Sequence, residues 1–317
     1  MKSQYVNELK PGHTVKEKFI LSKKIFKEKK DGGTYAMLEF TDRTGSIEGI
    51  AWDSLIKDLK SIPVDDFVFI TGNVSEYNDK LEIVVNSISR ISDDEVDAKD
   101  YLPQCEEDIA KVMTEVDEFR KKVANPHLKK LLDSFFEDQS FVDNFRTAPA
   151  AKRVHHAYLG GLAVHTLKVV KLLSSMQKIY VSLNFDLLIT GGLLHDIGKI
   201  NEYVYKKKID ASTKGKMLGH IVIGYEMIAK KIDNIPQFPE DLRLKLLHMV
   251  LSHHGKFEWG SPKLPMFPEA LILHFMDNLD SKVEMMIEEF RKSKGSQKEW
   301  SNYHPFLERE IYLREEE

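Results

Sequence analysis

The chain has 317 residues, more than one ordinary domain of about 100 to 200, so two domains are expected, each burying its own core. Its 42% hydrophobic and 30% charged residues describe a soluble globular protein, and no apolar run approaches the ~20 residues that span a bilayer, which excludes a membrane partner. A net charge of −4 excludes holding polyanions by bulk charge, so any nucleic-acid contact must be local.

The opening "MKSQYVNELKPGH" lacks the apolar core and small-residue cleavage site of a secretory signal. The single Cys105 has no second thiol for a disulfide or a Cys-type zinc site. Both observations predict a cytoplasmic protein.

Residues 14 to 91 read as five strands, "TVKEKFILSKKIF", "TYAMLEFTD", "SIEGIAWD", "DFVFITGNVSEYN" and "KLEIVVNSISRI", rich in β-branched and aromatic residues and separated by turn signals. "SLIKDLKS", between the third and fourth, is too polar for a strand and suits one short helix. That order predicts an all-β OB-fold barrel over residues 1 to 91, with a small sandwich or SH3-like barrel as the alternative. Residues 92 to 103, "SDDEVDAKDYLP", read as an acidic linker closed by Pro103.

From 104 to 317 the period becomes that of helices, expected over 106–123, 127–137, 161–179, 185–197, 218–231, 240–254 and 267–290. The second domain is therefore all-α. Most of the twelve histidines fall in it. His165 in "GGLAVHTLKVV", His195 and Asp196 in "LLHDIGK", His220 in "MLGHIVIGYEMI", His253 and His254 in "VLSHHGKFEWG" and Asp277 in "LILHFMDNLD" each lie in or at the end of an apolar helix. Burying so many polar rings and carboxylates is costly unless they bond one another or a metal.

The ordered pattern H…HD…H…HH…D, centred on "HDIGK", resembles the HD-domain metal-dependent phosphohydrolases over roughly residues 150 to 290. With "HHAYLGGLAVHT" and a preceding OB-type barrel, the whole chain resembles more narrowly the YhaM-type 3′-to-5′ exoribonuclease family. Two metal ions about 3.5 to 4 Å apart can supply a nucleophilic hydroxide and counter-charge for phosphodiester hydrolysis, and a carboxylate must bridge them. The resemblance implies Asp196 as that bridge, with His165, His195 and Asp277 completing one ion's ligands and His220, His253 and His254 the other's. An imidazole-rich set favours Mn²⁺, with Fe²⁺, Ni²⁺, Zn²⁺ or Mg²⁺ as alternatives.

Lys199, one helical turn past His195, is expected to place its ammonium on a phosphate oxygen, and Arg153 and His156 to contact phosphate or leaving oxygen. Asp196 and these three form the expected catalytic set. His274 and Asp280 flank Asp277 by three residues each, so both are candidates to support it from the same helix face, although Asp280 is read chiefly as a cap or the partner of a surface lysine. In the barrel, "KEKFILSKKIFKEKK" holds seven lysines against two glutamates, with Phe19, Phe26, Tyr35, Phe40 and Trp52 in neighbouring strands. Lys23, Lys24, Lys27, Tyr35 and Trp52 are the expected contacts to single-stranded nucleic acid, by base stacking beside a positive groove.

The sequence thus predicts a 3′-to-5′ exonuclease of single-stranded RNA, with DNA also open, releasing nucleoside 5′-monophosphates; homo-oligomerisation is left open. The alternatives are an HD phosphodiesterase of cyclic (di)nucleotides or nucleotides, and a non-catalytic nucleic-acid-binding adaptor.

Overall fold

The computed structural model describes residues 2–29, 32–77, 80–152, 156–293 and 298–314. The chain divides into two units, Met1–Gln104 with Tyr205–Ile209, and Cys105–Val204 with Asp210–Glu317.

The alternating segments of the first unit form β1 (Thr14–Glu28), β2 (Thr34–Asp42), β3 (Gly45–Ala51), β4 (Asp66–Tyr77) and β5 (Lys80–Arg90), with α1 (Ile56–Ser61) between the third and fourth. They close into a barrel in the order β1-β2-β3-β5-β4. Only β3 and β5 pair in parallel, which is the OB-fold arrangement. Val15, Phe19, Leu21, Leu38, Phe40, Ile70 and Ile83 fill the interior, so two of the aromatics flagged in the sequence, Phe19 and Phe40, are core.

A shift of register between Leu21 and Lys23 inverts the parity of β1. Before it the odd-numbered residues point inward; after it Lys23, Ile25 and Lys29 face outward. The segment read as an acidic linker is not free chain. Tyr101 and Leu102 are buried, and the Tyr101 ring packs edge-on against Phe67 at 4.8 Å, beside Ile20. The first unit accordingly runs through Gln104.

The second unit contains α2 (Ile109–Lys122), α3 (Pro126–Phe136), α4 (Gln139–Phe145), α5 (Gly161–Met176), α6 (Phe185–Leu194), α7 (Lys199–Glu202), α8 (Thr213–Asp233), α9 (Glu240–Ser252) and α10 (Pro268–Ser293). Asp108, Asn125, Asn184 and Ser212 cap α2, α3, α6 and α8 through their side-chain oxygens. A small two-stranded sheet, β6 (Tyr203–Tyr205) and β7 (Ile209–Ala211), interrupts the helices. Helix α6 is buried on every side from Leu187 to Leu194, packed among α2, α3, α5, α9 and α10. That surround explains why its sequence is apolar all round rather than striped. Its C-terminal end delivers His195 and Asp196 into the centre of the unit. No described helix is long and apolar enough to cross a membrane.

Candidate active site and nucleic-acid groove

Five elements converge on Asp196: α5 brings His165, the end of α6 brings His195, α8 brings His220, the end of α9 brings His253 and His254, and α10 brings Asp277. The carboxylate of Asp196 faces two ways. Its Oδ2 lies 3.4 Å from Nε2 of both His165 and His195, and its Oδ1 lies 3.5 Å from His220 Nε2 and 3.6 Å from His253 Nε2. Asp277 Oδ1 completes the first set, 3.2 Å from His165 Nε2, and His254 Nε2 the second, 3.2 Å from His220 Nε2. Two triads, His165/His195/Asp277 and His220/His253/His254, each hold their ligand atoms within 4.8 Å of one another.

All five imidazoles are oriented alike. Their Nδ1–H groups donate outward: His165 to Asp280 Oδ2 at 2.8 Å, His195 to the Gly192 carbonyl at 2.8 Å, His220 to Glu202 Oε2 at 3.1 Å, His253 to the Val250 carbonyl at 2.7 Å and His254 to the Trp259 carbonyl at 2.7 Å. Each acceptor can only accept, so the neutral ring keeps its Nε2 lone pair for the centre. His165 and His195 meet Nε2 to Nε2 at 3.3 Å, as His220 and His254 do at 3.2 Å. Two neutral lone pairs at that distance repel unless a cation lies between them. Asp196 Oδ1 and His253 Nε2 are buried with no hydrogen-bond partner among the described residues. Unsatisfied buried atoms of this kind, 3.6 Å apart, fit a divalent metal.

The electrostatics agree. Burial would raise the pKa of Asp196, but Lys199 and His195 outweigh it and hold the carboxyl well below the usual range. Asp277 and Asp280 are likewise held low, against burial, by hydrogen bonds to His165 and, for Asp280, to His156. Burial lowers His253, and burial with the adjacent His253 and His220 pushes His254 down to about 3, keeping both rings neutral. His165 moves the other way: burial alone would lower it, but Asp196, Asp277 and Asp280 together draw a proton onto it. A divalent ion held by this triad would displace that proton.

Residues outside the ligand set support it, His274 and Asp280 among them as their spacing from Asp277 allowed. Asp280, read as a surface cap, is buried and accepts from both His165 and, at 3.1 Å, His156 Nε2; three residues from Asp277 on α10, it shares that residue's inward face. Glu202, which sequence reasoning missed, orients His220 from α7, and its only signal was an acid one turn beyond Lys199. His274 donates to the His253 carbonyl at 2.9 Å. Gly255, at φ 71°, lets that ring pack where a Cβ would sit. Gly198 of "HDIGK" has a packing role: a Cβ there would lie 2.0 Å from the His220 carbonyl oxygen, so only glycine lets α7 approach α8 this closely.

The expected catalytic residues fare differently. Lys199 is buried, with its ammonium 2.6 Å from Asp196 Oδ2. His156 is corrected: it is buried, one nitrogen on Asp280 and the other 2.7 Å from Tyr158 Oη, so neither faces a place where phosphate could lie. Arg153 lies outside the described residues.

On the barrel, a groove of about 690 Å³ is lined by Lys23, Tyr35 and Trp52, together with Lys29, Lys80 and Tyr77. The Tyr35 and Trp52 rings are 5.9 Å apart at 37°, and the Lys29 ammonium, paired with Asp53, lies 4.9 Å over Trp52. Lys27 pairs in register with Tyr35 and so shares its face without lining the groove. Lys24 is a second correction. The register shift in β1 and the alternation after it turn Lys24 away from Lys23, and its ammonium donates to the carbonyls of Leu59 and Ile62 at the end of α1.

The sequence model of the HD domain matches residues 162–282, and that of an OB-fold nucleic acid binding domain matches residues 19–91. A 3′-5′ exoribonuclease YhaM of Geobacillus sp. (strain WCH70) is 34% identical over 267 residues, covering 83% of this chain and 81% of that protein. The chain belongs to the YhaM family of 3′-5′ exoribonucleases. The YhaM of Bacillus subtilis (strain 168) is 33% identical over 257 residues, covering 81% of each. Among solved structures, the second OB-fold domain of replication protein A from Methanococcus maripaludis is 26% identical, covering 28% of this chain and 94% of that one, with a TM-score of 0.25. The two matched models follow one another along the chain, barrel first and HD domain second.

Proposed function

We propose that this protein is a metal-dependent 3′-to-5′ exonuclease of single-stranded RNA that releases nucleoside 5′-monophosphates. One observation carries the reading: the two oxygens of Asp196 face two separate sets of imidazole nitrogens, as a carboxylate shared between two ions must. In this reading His165, His195 and Asp277 would hold one divalent ion and His220, His253 and His254 the other, with Asp196 shared between them. Manganese suits a donor set of five imidazoles and two carboxylates, with iron, nickel, zinc or magnesium as the alternatives. Bound there, the ions would supply Lewis acidity and an activated water for in-line attack on the phosphodiester.

The chain's own residues do the rest. Asp280, Glu202 and the backbone carbonyls hold the ligand rings in one tautomer and one orientation. Lys199, paired with Asp196, would neutralise a phosphoryl oxygen when its ammonium turns from that carboxylate. In the barrel, Tyr35 and Trp52 would stack bases. The strand's phosphates would run along Lys23, Lys27 and Lys29, since Glu39, Glu48 and Glu82, aligned across three strands, repel anions from the groove floor. Such a groove grips an open strand, which favours RNA over a cyclic dinucleotide. Because stacking does not read the 2′-hydroxyl, single-stranded DNA is the second substrate to assay. A cytoplasmic setting fits the lone, half-buried Cys105 thiol.

The test is Asp196→Ala. It should lower RNA hydrolysis by well over 100-fold and reduce bound metal, while circular dichroism reports the helices intact. Purified Asp196→Ala with full metal stoichiometry and wild-type turnover would sink the shared-carboxylate assignment. Gels of 5′-end-labelled RNA should show stepwise shortening from the 3′ end.

A further inference from the structure

The side chains around Asp196 are unequally covered. Those of His165 and His195 are 0% exposed and that of Asp196 2%, whereas those of His220 and Asp277 are each 13% exposed. A substrate therefore reaches the centre from the side of His220 and Asp277. Trp259 borders the second of the two triads. Its carbonyl accepts the Nδ1 proton of His254 at 2.7 Å, which anchors its backbone directly behind a candidate ligand. Its ring lies 6.2 Å from the His274 ring and 5.7 Å from the Lys282 ammonium, so it flanks the stretch of α10 that carries Asp277. The residue is 41% exposed, a large apolar side chain in partial contact with solvent.

Two cations attend it. The Lys256 ammonium is 4.4 Å from the ring centroid and the Lys282 ammonium 5.7 Å, and neither lysine forms an ion pair among the described residues. An open indole beside two uncommitted ammonium groups is the chemistry that receives a nucleotide, with the base on the π-face and the phosphate on the cations. We infer that Trp259 is the stacking platform for the base adjoining the scissile phosphate, with Lys256 and Lys282 balancing the charge of that nucleotide. The inference rests on the phosphodiesterase reading of the Asp196 site, and it adds a base-recognising subsite on the helical unit, independent of the barrel groove.

The experiment uses the full-length, manganese-loaded protein hydrolysing bis(4-nitrophenyl) phosphate, with adenosine 5′-monophosphate and ribose 5-phosphate as competing inhibitors. Both carry the phosphate; only the first carries a base. Wild type should bind the nucleotide about 5- to 150-fold more tightly, the fold-change equivalent to about 1–3 kcal/mol for one stacked base. Trp259→Leu, which keeps apolar volume but has no π-face, should bring the two inhibition constants together, and Trp259→Phe should retain most of the preference. Since His254 bonds to the backbone of residue 259 and not to the indole, both variants keep that contact. Lys256→Ala with Lys282→Ala should weaken both inhibitors alike. A Trp259→Leu protein that keeps the wild-type ratio overturns the inference, as does a wild type with no preference. Failure to shorten RNA would instead count against the exonuclease reading, and the inhibitor ratio would still decide the subsite.

Discussion

Asp280 Oδ2 accepts the Nδ1 proton of His165 at 2.8 Å while its other contact, His156 Nε2 at 3.1 Å, holds the carboxylate from behind. A carboxylate behind a ligand histidine selects the tautomer and raises the basicity of the nitrogen that faces the metal. Asp280→Asn keeps shape but offers an amide, so metal affinity should fall about 10- to 100-fold, read by competition with a chelator. Affinity equal to wild type would reduce Asp280 to packing.

Lys199 meets the same oxygen of Asp196 that His165 and His195 face. Lys199→Ala should lower turnover on a short oligonucleotide by about 10- to 1000-fold with metal content unchanged, the range expected for one electrostatic donor. Lys199→Arg should recover only part, because a planar fork does not reproduce a compact ammonium on a flexible stem. Normal turnover in Lys199→Ala would leave the lysine a counter-ion of Asp196 alone, and Arg153 would become the next residue to replace.

Stacking in the barrel groove predicts a split between binding and chemistry. Trp52→Ala should weaken binding of single-stranded RNA by about 5- to 150-fold, since a stacked base contributes ~1–3 kcal/mol, while hydrolysis of a small chromogenic phosphodiester stays at the wild-type rate. Fluorescence anisotropy with labelled RNA measures the first and absorbance the second. Unaltered RNA affinity would remove the groove from the mechanism.

Acid should unfold the metal-free protein in a defined window. His254 is held neutral, its pKa pushed down to about 3 by burial and by His253 and His220. The unfolded chain takes up that proton below about 6.5, so the unfolded state binds more protons and stability falls as the pH drops from about 6.5 towards 3. His165, raised in the folded protein, opposes this trend only near the top of the window, where its unfolded form is still titrating. His254→Gln should remove one proton's worth, about 1.4 kcal/mol per pH unit, from the dependence measured by urea denaturation. An unchanged slope would mean that His254 is not buried neutral.

Local chemistry was enough to define the barrel strands and the long helices, but not the short α4 and α7 or the β6–β7 pair. Strand alternation and turn residues placed β1 to β5 and α1, and the apolar spacings placed the long helices, because period and turn preference are properties of neighbouring residues. The ordered histidines and aspartates marked the residues that meet at Asp196, because polar rings in apolar helices need one another or a metal. Long-range packing decided the rest. Whether Lys23 or Lys24 faced the groove depended on a register shift that only pairing with β2 creates. Asp280 and His156 are 124 residues apart and could be recognised as partners only once α10 lay against the start of α5. The segment 92–103 looked like solvated linker until Tyr101 met Phe67, since composition records charge but not where one aromatic ring finds another. Which oxygen of Asp196 serves which set of imidazoles is likewise invisible in the chain, being fixed by the angles at which five separate elements reach the end of α6.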